Sequence, residues 1–92
     1  MAILVTMQVG PVDWAKFMDA TEWSKQFPAT GRTSGRIYRS EEDPSQVFVV
    51  EEWDSHDSMH AYQDKLGDEF NRRAGTEGLE WQTGVWDMAT SY

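Results

Sequence analysis

The chain has 92 residues, a formal net charge of −8, no cysteine, and 39% hydrophobic residues. That length suits one domain spanning 1–92, and the composition is globular, not disordered. The acidity excludes the basic footprint that nucleic acid or an anionic membrane surface requires, and the lack of thiols excludes disulfides and thiolate metal sites.

A chain this short buries only about 60–65% of the surface its unfolded form exposes, so it needs an addition to its core. With disulfides excluded and two histidines present, no structural metal is expected, and a second subunit is the remaining addition. No apolar run approaches the ~20 residues that span a bilayer. The opening MAILVTMQV has neither a basic n-region nor a small-residue cleavage site, so no signal peptide is expected and the cytoplasm is the default location.

The first predicted strand is Ile3 to Val9, with Ile3, Val5, Met7 and Val9 on one face and Leu4, Thr6 and Gln8 on the other. Gly10-Pro11 ends it. Asp13 is placed to cap a helix running to about Gln26, whose stripe is Trp14, Phe17, Met18 and Thr21. Trp23 falls outside that stripe and is expected to face solvent or another subunit. A second strand follows from about Ser34 to Ser40. The polar turn Glu41 to Ser45 then leads into a third strand, Gln46 to Trp53, to make an antiparallel hairpin. Asp54 or Ser55 caps a second helix reaching about Arg73, with Met59, Tyr62, Leu66 and Phe70 along its apolar stripe. Gly75 to Gly78 break it. A last strand, Leu79 to Met88, puts Trp81, Thr83 and Val85 on one face and Gln82, Gly84, Trp86 and Met88 on the other.

The order β-α-β-β-α-β is the split βαβ arrangement of a ferredoxin-like α+β fold, a four-stranded antiparallel sheet with two helices on one face. Its other face keeps apolar residues on each strand, too many to leave in water. Packing two such faces together predicts a homodimer.

The segment Val47-Phe48-Val49-Val50-Glu51-Glu52-Trp53-Asp54-Ser55 resembles the antibiotic biosynthesis monooxygenase family of dimeric α/β barrels. That family shows a hydrophobic strand, a glutamate two before a tryptophan, a serine two after it and a large aliphatic six after it. Here these are Glu51, Trp53, Ser55 and Met59. The ninth position after the tryptophan, a histidine in the family, is Tyr62, so a base at that place is not implied. The resemblance implies a small-molecule pocket. It also implies a cofactor-independent oxygenase acting on an electron-rich, polyketide-like aromatic. Non-catalytic binding barrels and dimerisation modules share the fold, as do cyclases and isomerases.

The residues themselves nominate a site. Tyr62, on the inward stripe of the second helix, is either a paired core tyrosine or a donor to a ligand carbonyl or phenolate. His60 stands at the edge of that stripe, as a solvent-facing flank or a general base. His56 and His60 are spaced i, i+4 without a third metal ligand nearby. Glu51 and Glu52 alternate across their strand, so one carboxylate points inward. It is either paired with Arg36 or Arg39, or free to accept a proton. Trp14, Phe17, Trp81 and Trp86, with Tyr38 and Trp53, are core aromatics or the walls of a ligand pocket.

Overall fold

The computed structural model describes residues 2–92. Strand β1 (Ile3–Val9) is followed by helix α1 (Trp14–Ser24), β2 (Arg32–Arg39), β3 (Val47–Trp53), α2 (His56–Ala74) and β4 (Gln82–Trp86). The strands form one antiparallel sheet in the order β2-β3-β1-β4. This is the ferredoxin-like α+β fold that the element order predicts.

The period-2 alternation of the strands sorts the sheet into two faces. Towards the helices point Ile3, Val5 and Val9 of β1 and Val47, Val49 and Trp53 of β3, all buried. The helices cover them in two clusters. Phe17 and Ala20 of α1 and Ala74 of α2 pack on Val9, Val47 and Val49. Met59 of α2 packs on Ile3, Val5 and Trp53. Burying an aliphatic or Phe side chain contributes roughly 1.5–3 kcal/mol, and the Phe17–Phe70 edge-to-face pair, with centroids 5.5 Å apart, ties the two helices together.

Both helices start where the sequence supplies a cap. The Asp13 carboxylate accepts from the Lys16 amide at 3.2 Å, and the Ser55 hydroxyl accepts from the Ser58 amide at 3.1 Å. Helix α2 ends at Gly75, whose φ of 72° is the left-handed C-cap that glycine adopts without strain.

Three expectations are corrected. The stripe of α1 centres on Phe17 and Ala20, not Met18, which is 42% exposed. Met18 sits one residue, about 100°, further round the helix than Phe17. Trp23 does not face away. It lies on the flank nearest α2, edge-on to Phe27 at 5.2 Å and under the Arg73 guanidinium at 4.7 Å. Strand β4 is five residues long, so Leu79 to Trp81 form its approach, and Met88 lies beyond its end. Among the described residues, no helix is long and apolar enough to cross a membrane.

Candidate functional site

On the helix-covered side of the sheet, beside the start of α2, one polar cluster interrupts the apolar core. Trp53 is fully buried, and its indole N–H needs a partner there. Glu51 provides it, two residues back on the same face of β3, with Oε1 accepting from Trp53 Nε1 at 3.1 Å. The other oxygen, Oε2, accepts from Arg32 Nη1 at 3.1 Å. The Arg32 guanidinium lies 5.3 Å from the Tyr62 ring centroid and 5.8 Å from that of Trp53, and the two rings are 5.4 Å apart. One cation is thus held between a carboxylate and two aromatic faces.

Glu51 is therefore the inward carboxylate, and its partner is Arg32, not Arg36 or Arg39. A register shift between Arg32 and Ser34 explains this. The bulge brings Arg32 opposite Trp53 on the helix side, whereas Arg36 takes the opposite face and Arg39 leaves the sheet end to stack over Trp14 at 4.5 Å. Gly35 lies opposite Glu51, where a Cβ would meet the Arg32 and Glu51 side chains at an ordinary contact distance of 3.9 Å.

Outside this cluster lies a hollow of about 280 Å³. Phe27, Pro28 and Thr30, from the turn after α1, form one wall, and Ser58, Ala61, Tyr62, Lys65 and Leu66 of α2 form the other. The two walls are tied at one end, where the Asp54 amide donates to the Gly31 carbonyl at 2.7 Å. Gly31 has a φ of 95°, and a Cβ there would fall 2.5 Å from Asp54 Oδ1. Tyr62 is the side chain shared by the hollow and the buried cluster.

The other sequence-nominated residues lie elsewhere. His60 is exposed on the outer side of α2, its ring edge-on to His56 with centroids 4.4 Å apart. Trp14, Phe17 and Trp81 meet in the core cluster around Phe17, Val9 and Val47, where Phe17 lies 5.9 Å from Trp14 and 6.5 Å from Trp81. The Trp81 indole N–H is buried there without a partner among the described residues. Tyr38 and Trp86 are on the open face of the sheet, at 48% and 57% exposure. Trp86 lies across Gly84 and donates to the Thr6 hydroxyl at 3.0 Å. Near Tyr38 the open face carries a second hollow of about 320 Å³, with Leu4, Arg36, Val50 and Glu52 among its lining.

Sequence reasoning missed Arg32, Phe27 and Lys65. For Lys65 the signal was present: it lies three residues after Tyr62, hence on the same side of α2. Nothing in the sequence marks the bulge that turns Arg32 inward.

The fold recurs in solved structures. A mutant of SnoaB, a cofactor-independent oxygenase from Streptomyces nogalater, is similar over 98% of this chain and 95% of its own, at 14% identity and a TM-score of 0.74. A Caulobacter crescentus protein named for the antibiotic biosynthesis monooxygenases reaches a TM-score of 0.78 at 14% identity, over 97% of this chain and 91% of its own. The chain has the antibiotic biosynthesis monooxygenase fold. A Bordetella bronchiseptica protein named for the same monooxygenases agrees, with a TM-score of 0.74 at 17% identity over 98% of this chain and all of its own. No family model matches the sequence, and no curated protein matches it. At such identities the monooxygenase likeness speaks for the fold, and function has to be argued from the side chains.

Proposed function

We propose that this chain is a small-molecule-binding subunit that works as a homodimer and takes an aromatic ligand into the hollow beside Tyr62. One observation carries the reading: an opening walled by Phe27, Tyr62 and Leu66 stands directly outside a buried Trp53–Glu51–Arg32 cluster that holds its Tyr62 wall in place. Convergent polar groups on a mainly apolar hollow are the usual form of a ligand seat.

The chemistry it best suits is oxygenation of an electron-rich fused aromatic without a cofactor. An activated ring methylene loses a proton and reacts with dioxygen. One oxygen atom stays as a carbonyl and the other leaves as water, so that R2CH2 and O2 give R2CO and H2O. The protein contributes orientation, exclusion of water and a Tyr62 hydroxyl donating to the substrate oxyanion. The similarity in fold to SnoaB, described as a cofactor-independent oxygenase, supports this reading.

A second reading, ligand binding without chemistry, is favoured by the state of the candidate bases. Both Glu51 oxygens already accept hydrogen bonds, from Trp53 and Arg32, and His60 is turned away toward His56.

The dimer in this proposal uses the open face of the sheet. Leu4, Val50, Phe48, Tyr38 and Trp86 give it apolar area, while Arg36 and Glu52 line one trough there. A patch with one charge of each sign can meet its own copy across a two-fold axis.

Oxygen uptake with anthrone as the probe tests the function. Uptake above the buffer rate that falls at least tenfold in Tyr62→Phe supports the oxygenase. Anthrone binding without uptake moves the assignment to the binding protein, and absence of binding overturns both.

A further inference from the structure

We infer that the ligand of this hollow is an anion: an apolar ring system carrying a carboxylate or phenolate that pairs with Lys65. The inference rests on the reading of the hollow as a small-molecule seat and adds the charge of what sits there.

Among the described residues, Lys65 is the only charged side chain lining the hollow, and the rest of the lining is apolar except for Tyr62 and the Thr30 and Ser58 hydroxyls. The chain holds 16 acidic residues against eight basic ones, so a cation at a concave apolar site runs against the general composition. The carboxylates within one helical turn after Lys65 are Asp68 and Glu69, three and four residues on. Glu69 is already held by Arg72 and Arg73, and neither Asp68 nor any other carboxylate pairs with Lys65 among the described residues.

The same geometry fixes how a ligand would lie. Tyr62 and Lys65 are three residues apart on α2 and therefore neighbours on one helix face. A ring lying on the Phe27, Tyr62 and Leu66 surfaces places a substituent at the Lys65 ammonium. The hydroxyls of Thr30 and Ser58 are further donors to an anionic oxygen. A neutral ring would leave the exposed Lys65 ammonium without an ionic partner in the hollow.

Isosteric two-ring probes, 2-naphthoate and neutral 2-naphthamide, test the inference by calorimetry at pH 7 on the full chain. The wild type is expected to bind naphthoate about fivefold more tightly, the scale of a partly exposed ion pair. That preference is expected to shrink at high salt. Lys65→Gln should reduce it to within about twofold, and Lys65→Glu should reverse it. Equal binding of the two probes by the wild type, or a preference that survives in Lys65→Gln, overturns the inference and leaves the ligand seat standing. If neither probe binds, the seat itself is refuted and the inference falls with it.

Discussion

The Trp53–Glu51–Arg32 cluster makes a quantitative demand that a pair of substitutions can check. In Glu51→Gln the amide oxygen still accepts from the Trp53 indole, and Arg32, whose side chain keeps 28% of its exposure, turns toward water. The loss is one charge-assisted bond partly recovered by hydration, about 1 kcal/mol. In Glu51→Leu the indole N–H is left in a site with no exposure at all. An orphaned buried donor adds about 1–3 kcal/mol to the loss. For a chain of this size each kcal/mol moves the thermal midpoint by about 4–8 °C, so the leucine variant should melt at least about 4 °C below the glutamine one. The assay is far-UV circular dichroism at one fixed protein concentration, because the midpoint of a self-associating chain depends on concentration. Adding Trp53→Phe to Glu51→Leu removes the stranded donor and should recover part of the deficit, as a double-mutant cycle. If the leucine and glutamine variants melt within about 2 °C of each other, the indole bond does not hold this corner of the core and the reasoning fails.

Phe48→Asp, on the open sheet face, should leave the circular dichroism of the fold intact and give a monomer by native mass spectrometry, whereas a persisting dimer would place the interface elsewhere. Gly31→Ala should destabilise the chain by about 1–3 kcal/mol, read by urea unfolding, because its positive φ is strained for alanine and the added carbon meets Asp54 and Ser58. The hydrogen bond from Arg72, with the charges of Arg72 and Arg73, holds the Glu69 carboxyl below the usual glutamate range against the opposing effect of desolvation. Because the folded value is the lower one, this pairing supports the helix above the ordinary glutamate pKa and is lost as pH falls through the depressed value. An NMR titration of Glu69 at or above the ordinary value would contradict it.

The sequence carried the architecture because every long element repeats at its own period and ends on a recognisable cap or breaker. Ile3, Val5 and Val9 alternate as a strand should, and Ser55 and Gly75 bracket α2. What escaped it depends on contacts between elements. The alternation on β2 predicts Arg39 toward the helices, and the bulge adds Arg32 to that side by breaking the period where no residue type announces it. The position of Trp23 on α1 alone points it outward, but the packing of α2 beside α1 brings Arg73 over it. The candidate site was legible in the same uneven way. Tyr62, Glu51 and Trp53 come together as neighbours on one side of the sheet, while His60 and Tyr38, equally plausible by residue type, are placed on other surfaces.

The strand order leaves β2 and β4 as the two rims of the sheet, each offering a row of unpaired amides and carbonyls to any passing chain. The β4 rim is only five residues long. The longer β2 rim of this acidic molecule carries Arg36 and Arg39, two cations with no ion pair among the described residues. Two such rims approaching each other meet like charge with like charge, so chains are discouraged from adding end on end into fibres. Replacing Arg36 and Arg39 would then show itself first in storage, as slow clouding of concentrated solutions, before any change in the fold could be measured.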